Sequence, residues 1–194
     1  RELGLPGAPT DALRLALSCA PRRIDAGQLG GRWFFSVAGI GFDAHVARAF
    51  DADAGHARGL RGYVHLTVRE LWRYQCGRYA IDSAPPTSAF LITFANSAQF
   101  GNGVRIAPGA RIDDGCLDLV VAEERSRRQT VLNIPRLLSG RIGGAAGVSI
   151  RRVTSAVVES ERPMDFHVDG EPCAGGTRLE ARVVPGALLV AARS

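Results

Sequence analysis

The stretch Pro108-Gly-Ala-Arg-Ile-Asp-Asp-Gly-Cys-Leu-Asp118 places two adjacent carboxylates, Asp113 and Asp114, directly before a glycine. An apolar run over residues 117–122 follows, and it predicts a β-strand. Aspartates at such a position commonly hydrogen-bond their own backbone and help the chain to reverse. The same turn also offers the oxygen ligands that a hard cation such as Mg2+ binds. From this stretch alone, a plain turn is favoured over a metal site.

Strands dominate the pattern on both sides of this turn. A Gly30-Gly31 pair predicts a hairpin between strands at 24–29 and 33–38, and further strands are predicted at 78–82, 89–95, 104–107, 153–159, 164–168, 178–184 and 187–191. Helices are predicted at 10–20, where Thr10 or Asp11 can form the cap, and at 43–50, 60–74 and 127–139. Many short, evenly spaced strands are typical of a β-sandwich or a barrel.

Composition limits the classes of function. The chain has 194 residues, which predicts one domain or one domain with an attached fragment, and no apolar run has the length of a membrane span. All 24 basic residues are Arg and the net charge is +5, but they are scattered, so nucleic-acid binding has little support. The cysteines lie far apart, which disfavours a zinc site and predicts reduced thiols in a cytoplasmic protein: Cys19, Cys76, Cys116 and Cys173.

Two predicted helices are amphipathic. In the helix at 60–74, apolar side chains recur at three-to-four spacing and predict a face packed against a sheet: Leu60, Tyr63, Val64, Thr67, Val68, Leu71 and Trp72. In the helix at 127–139, arginines flank Val131, Leu132, Ile134, Leu137 and Leu138. The favoured interpretation is a surface helix that covers the sandwich, and the alternative is peripheral contact with anionic lipid.

Two further motifs have both a structural and a functional interpretation. Gly39-Ile-Gly41-Phe-Asp-Ala44 has the outline of a dinucleotide fingerprint, but no second parallel strand follows, so a tight strand-to-helix turn is favoured. Met164-Asp-Phe-His-Val-Asp-Gly-Glu171 alternates with period two, which puts Asp165, His167 and Asp169 on the face away from the core. A solvated face ending in an Asp-Gly hairpin turn is favoured over an acid–base or metal cluster.

In order along the chain, three segments resemble the C-terminal domain of the diacylglycerol kinase / sphingosine kinase family, especially its bacterial lipid kinases. They are residues 36–44, residues 96–118 with their Gly-rich loop and Asp-Asp-Gly turn, and Val168-Asp-Gly-Glu171. The opening Arg1-Glu-Leu-Gly-Leu-Pro is also similar to the segment that follows the nucleotide domain in this family. Family members often have Asn where Ser36 stands.

The resemblance implies a fold and a set of roles. It implies a two-layer β-sandwich with a few flanking helices, formed by residues 21–194 after a linker helix in residues 1–20. It implies that Mg2+ is held by the Asp114 carboxylate and by backbone carbonyls at Arg111 and Cys116. Glu171 is implied as the acceptor of the lipid hydroxyl proton, with Asp169 beside it in support.

The resemblance also implies a partner domain. The family binds ATP on a G-G-D-G-T loop in an N-terminal α/β domain, and this sequence contains no such loop. We therefore expect the ATP loop upstream of Arg1, and no kinase activity from this chain alone. The acceptor is expected to be diacylglycerol, a sphingoid base, ceramide or a similar lipid, with peripheral membrane contact left open. The alternatives are a NAD kinase-like domain and a non-catalytic, cation-binding β-sandwich module.

Overall fold

The structure is a computed structural model, and it describes residues 3, 5–52, 59–99, 105–138 and 141–191. The side chains of residues 59–64, 134–135 and 137–138 are outside that description. Several sequence predictions fall outside it as well: residues 53–58 of the polar loop that the sequence predicts at 51–59, the Gly-rich segment at 100–103, Val104, and the side chains of Leu60, Tyr63, Val64, Ile134, Leu137 and Leu138.

The described elements are mainly strands. The helices are α1 (Pro9–Ser18), α2 (Phe42–Ala52), α3 (Gly59–Arg73) and α4 (Arg127–Leu138), with a short 3-10 helix at Ile142–Gly144. The strands are β1 (Pro21–Leu29), β2 (Arg32–Phe34), β3 (Val37–Gly41), β4 (Gly77–Ile81), β5 (Thr87–Ala95), β6 (Leu117–Glu123), β7 (Val148–Val153), β8 (Ser155–Glu159), β9 (Asp165–Val168), β10 (Glu171–Ala174) and β11 (Arg178–Ala191).

The strands form one antiparallel sheet that folds over on itself. Its order is β10-β9-β3-β5-β4-β8-β11-β1-β2, and β6 and β7 continue from β5 as a branch. Strand β4 joins the two layers, because its first residues pair with β5 and its last residues pair with β8. The sandwich architecture implied by the resemblance is confirmed.

The main core lies between the two layers. Leu29, Val158 and Leu179 come from the β1–β8–β11 layer, and Ile92, Phe94, Leu119 and Phe166 come from the other. All are buried. Side chains from both layers share one cluster, as expected for two packed sheets.

Strand β11 is longer than the sequence predicted. The expected break at Pro185-Gly186 is absent, and β11 runs unbroken beside β1. The ladder instead shifts register between Ile24 and Ala26, so that Asp25 lies in an irregularity, and Gly186 has a positive φ of 61°. A glycine and a bulge let the strand bend without ending. For this reason Pro185-Gly186 does not end the strand, although the sequence predicted a turn there.

Other local predictions need smaller corrections. The hairpin at Gly30-Gly31 is confirmed. The φ values of the two glycines are 55° and 79°, and a type I′ two-residue hairpin turn requires positive φ at both positions. The strand predicted at 33–38 is in fact two, β2 and β3, and residues 105–107 form no strand. Helix α1 begins after Ala8 with Pro9 in its first turn and without a side-chain cap, so neither Thr10 nor Asp11 caps it.

Helix α3 differs from its prediction in what it buries. Its buried residues include Leu66, Glu70 and Leu71, whereas Val68 and Trp72 are exposed. Leu71 packs with Phe42 and Val46 of α2, and Tyr74 and Phe90 flank that cluster. The helix therefore packs largely through α2, because α2 already covers the face of β9 and β10.

The two glycines before α2 have structural roles. A Cβ at Gly39 would lie 1.9 Å from Oδ2 of Asp43, so only glycine leaves room for that buried carboxylate. Gly41 has a φ of 99° at the change from strand to helix. Strand β3 pairs antiparallel with β5 and β9, which fits the tight-turn interpretation and not a dinucleotide-binding βαβ unit. Among the described helices, none is long and apolar enough to cross a membrane.

We expect Gly39→Ala to lower the free energy of unfolding by about 2 kcal/mol, because the new methyl group displaces a short, hydrogen-bonded side chain in a packed site. Urea unfolding monitored by tryptophan fluorescence measures this. Gly176→Ala is the matched control, since nothing lies within 4 Å of a Cβ there. Equal midpoints for the two variants would contradict this role of Gly39.

Candidate functional site

The Asp113-Asp114 turn is held by arginines. The carboxylate of Asp113 lies 3.3 Å from Nη1 of Arg22 and 3.6 Å from Nε of Arg111. Asp114 accepts a hydrogen bond of 3.1 Å from the Cys116 backbone N–H through Oδ1, and its Oδ2 pairs with Arg152. The first bond is the local aspartate turn expected from the sequence.

A second carboxylate, from a distant strand, fixes this turn in place. Asp25 is buried, and its Oδ2 accepts a 2.7 Å hydrogen bond from the backbone N–H of Gly115. Its Oδ1 accepts a 2.8 Å bond from the N–H of Gly186, across the irregularity between β1 and β11. The Asp25 N–H also donates to the carbonyl of Ile112 at 2.7 Å. The Asp-Asp-Gly turn is thus attached to the β1–β11 layer on both of its sides.

The side chain of Asn96 extends the connection to the start of β3. Its Nδ2 donates to the carbonyl of Asp25 at 3.0 Å and to the carbonyl of Phe35 at 2.9 Å. Its backbone N–H donates to the carbonyl of Ser36 at 2.9 Å. Asn96 is fully buried, so both carbonyls would otherwise be left without a partner in a dry environment.

Ser36 stands where the family often has Asn, and it makes polar contacts of its own. Its Oγ lies 2.7 Å from Oγ of Ser97 and donates to the carbonyl of Gln99 at 3.0 Å. These bonds tie the start of β3 to the segment that leads into the Gly-rich loop.

Asp169 closes the network through its carboxylate. Oδ2 accepts from the N–H of Phe35 at 2.7 Å, and Oδ1 accepts from the N–H groups of Ser36 and Val37 at 2.8 and 2.9 Å. Three backbone donors hold the carboxylate in one orientation. Asp169 therefore positions the turn that precedes Glu171, and its oxygens are already occupied by protein donors.

Glu171 itself is exposed. It begins β10 directly after Asp169 and Gly170, whose φ values are 49° and 93°, and it pairs in register with Val168. This two-residue turn was expected from the Asp-Gly sequence. The turn leaves the Glu171 carboxylate at the surface beside the Phe35–Val37 segment that Asp169 holds.

The prediction that His167 faces outward is wrong, because His167 is fully buried. Its Nδ1 accepts from the N–H of Gly170 at 3.3 Å, and its Nε2 lies 3.3 Å from Oδ2 of Asp43. Thr93 Oγ1 donates to that same Oδ2 at 2.9 Å. The alternation correctly placed His167 on the face of β9 opposite Phe166 and Val168. Helix α2 covers that face, so it is not solvated.

Asp118 adds a second carboxylate beside Asp114. Burial raises the pKa of Asp118, the Arg152 guanidinium opposes that rise, and the charge of Asp114 adds to it. One half-exposed arginine thus balances two neighbouring carboxylates at the start of β6. Among the residues that the structure describes, no three His, Cys, Asp or Glu side chains form a metal-ligating cluster.

The structure brings together three segments singled out in the sequence: the Asp-Asp-Gly turn, the strand end at Asn96, and the Asp-Gly-Glu turn. The residue that the sequence analysis missed is Asp25. Its signal was a carboxylate within the predicted strand at 24–29, where a charge needs a specific partner.

We expect Asp25→Ala to cost about 3 kcal/mol of unfolding free energy, because two part-buried backbone N–H groups lose the buried carboxylate that accepts from them. Chemical denaturation measures this. The control is Asp165→Asn, which removes only an exposed ion pair to Arg48 and should cost less than about 1 kcal/mol. An Asp25→Ala protein as stable as the control would contradict this assignment.

Comparison with known proteins gives consistent results. The model of the YegS C-terminal NAD kinase beta sandwich-like domain matches residues 36–192. A protein of Chromohalobacter salexigens named "Probable lipid kinase YegS-like" is 33% identical over 193 residues, which cover 98% of this chain and 62% of that protein. One of the same name from Pseudomonas aeruginosa PAO1 is 30% identical over 197 residues, covering 98% of this chain and 63% of its own length.

Solved structures agree on the fold. A structure described as a diacylglycerol kinase from Bacillus anthracis superposes with a TM-score of 0.68 at 15% identity, covering all of this chain and 62% of the other. A second structure from that organism has a TM-score of 0.75 at 18% identity and is covered to 64%. The chain therefore spans less than two thirds of the length of these relatives. Because the family model matches most of its residues, the chain belongs to the family of the YegS C-terminal NAD kinase beta sandwich-like domain.

Proposed function

We propose that this chain is the substrate and metal domain of an ATP-dependent lipid kinase. The acceptor would be the hydroxyl group of a diacylglycerol, a sphingoid base, ceramide or a similar lipid. The names of its relatives support a lipid kinase. The observation that carries the proposal is the series of hydrogen bonds from Gly115 through Asp25, Asn96 and Phe35 to Asp169, which fixes the proposed metal turn and the proposed base turn relative to each other.

The turn around Asp114 has the chemistry that a Mg2+ site needs. Asp114 would supply a carboxylate and Arg111 and Cys116 their backbone carbonyls, all of them hard oxygen ligands. The neighbouring carboxylate of Asp118 supports this fit, because it adds a second acidic group beside Asp114; burial is the main cause of its raised pKa, and the charge of Asp114 adds to it. When bound, Mg2+ would supply positive charge that stabilises the transferring phosphoryl group.

Glu171 would accept the proton of the lipid hydroxyl as the bond to phosphorus forms. Its exposure leaves it open to a substrate, and a carboxylate within hydrogen-bond reach of a hydroxyl can act as its general base. Asp169 would support this role by holding the turn through its bonds to the backbone N–H groups of residues 35–37.

The nucleotide would come from another part of the whole protein. We propose that the remaining third of the relatives' length corresponds to an α/β domain that binds ATP and meets this chain at the end of the sandwich that holds Asp114 and Glu171. A NAD kinase-like acceptor is the second candidate, since the description of the matched family includes NAD kinase. A non-catalytic cation-binding module is the third.

We expect Mg2+ to raise the Tm of the full-length protein by about 3 °C when its concentration is well above its Kd. Asp114→Asn should abolish this shift. The matched control is Asp113→Asn in the same turn, which should keep the shift because Asp113 is not among the proposed ligands. A shift that survives in Asp114→Asn, or disappears equally in both variants, would contradict the ligand assignment.

We expect Glu171→Gln in the full-length protein to lower ATP-dependent lipid phosphorylation at least about a hundredfold, as loss of a general base does. The assay measures transfer of labelled phosphate to a panel of hydroxylated lipids and to NAD. Glu180→Gln, an exposed glutamate on β11, is the control and should be as active as the wild type. Labelling of NAD but of no lipid would favour a NAD kinase-like function. Labelling of neither NAD nor any lipid would favour a non-catalytic cation-binding module.

A further inference from the structure

Helices α3 and α4 expose large apolar side chains on their outer faces. On α3, Val68 and Trp72 are one helical turn apart and are 45% and 55% exposed. On α4, Val131 and Leu132 are 43% and 72% exposed. Helix α3 already buries Leu66 and Leu71 beneath this face, so its exposed side chains are not needed to attach it to the fold.

A contact between an arginine and an aromatic ring joins the two helices. The guanidinium carbon of Arg127, in the first turn of α4, lies 5.6 Å from the centre of the Trp72 ring. Such a contact keeps a cation and an exposed aromatic ring together at the surface. We define the α3–α4 face as these apolar side chains and the arginines among them: Val68, Trp72, Val131 and Leu132, with Arg69, Arg73, Arg127 and Arg128.

Positive charge predominates on this face. Glu70 is buried beneath it, and its carboxylate is shared by His45 at 2.9 Å, Arg69 at 3.0 Å and Arg73 at 3.8 Å. The hydrogen bond from His45 is the main reason why the pKa of Glu70 is lowered. A single carboxylate thus faces two arginines on α3. The neighbouring Glu123 pairs with Arg125 at 2.9 Å.

We propose that the α3–α4 face docks on the surface of an anionic lipid bilayer. Apolar side chains flanked by basic ones are the composition of interfacial helices, and tryptophan is enriched at the level of the lipid headgroups. The apolar side chains stand on two neighbouring helices with arginines among them, and this positive charge favours an anionic surface as the partner. This inference rests on the proposed function, since a lipid acceptor resides in a membrane.

The test is sedimentation of the full-length protein with vesicles of phosphatidylcholine, with and without phosphatidylglycerol. We expect binding to the anionic vesicles only, weakened by added salt because the attraction is screened. Replacing Arg127 and Arg128 by Gln should weaken binding about fivefold for each charge lost. Trp72→Ser should weaken it further by removing the apolar anchor. Equal binding to both kinds of vesicle, or binding to neither, overturns the proposal.

Leu17→Ser provides the matched control. Leu17 is 81% exposed on α1, compared with 55% for Trp72, so its replacement removes an even more accessible apolar side chain from a different helix. The control should bind anionic vesicles like the wild type, and the proposal fails if it loses as much affinity as Trp72→Ser.

A kinase assay separates this inference from the proposed function. With a short-chain acceptor dispersed in water, the Arg127, Arg128 and Trp72 variants should match the wild type, and with a vesicle-embedded acceptor they should lose activity in proportion to binding. If the wild type phosphorylates neither form, the proposed function fails, and the vesicle measurement still decides the docking face. If the variants lose activity on both forms equally, the face does not act through the membrane.

Discussion

A buried carboxylate at a register shift between two long strands is the interaction on which the rest of this structure depends. Asp25 lies where β1 and β11 fall out of register, and it joins the N–H groups of Gly186 and Gly115. A buried charge is tolerated only where donors surround it. The irregular part of β11 supplies one donor, the N–H of Gly186, and the Asp-Asp-Gly turn supplies the other, the N–H of Gly115. The buried position of Asp25 therefore depends on both the irregular strand and the turn.

The same end of the sandwich contains a concentration of buried polar groups, whereas the core between the layers is apolar. From Asp25, hydrogen bonds continue through Asn96 to the start of β3 and from there to Asp169. The paired members of a buried polar network rigidify the structure around them. Here these are the carboxylates of Asp25 and Asp169 and the Nδ2 of Asn96, whereas the buried Oδ1 of Asn96 has no hydrogen-bond partner among the described residues. This network therefore holds two turns from distant parts of the chain in a fixed relation, as a reaction between groups on both turns requires.

Local signals predicted local structure well. The Gly30-Gly31 hairpin and the Asp-Gly turn after β9 were both predicted. Each needs positive φ values, which Gly and Asp adopt more readily than most residues, so the residue types themselves indicate the turn. Asp25 was missed because its partners lie 90 and 161 residues away, and no spacing encodes such distances. His167 was assigned to the wrong environment because periodicity gives the face of a strand, but only the placement of α2 decides whether that face is covered. Trp72 was assigned wrongly because the apolar spacing of α3 indicated a face with Val68 and Trp72, whereas the helix buries Leu66, Glu70 and Leu71.

The central claim is that Asp25 holds the two layers and the Asp-Asp-Gly turn as one rigid unit. Native-state hydrogen exchange, measured by NMR on the backbone amides of Gly115 and Gly186, tests it most directly. If the claim is correct, both amides exchange as slowly as those in the middle of β5, because they open only when the domain unfolds. If both exchange as fast as the exposed amide of Gly176, the turn opens independently, and Asp25 does not hold the site together.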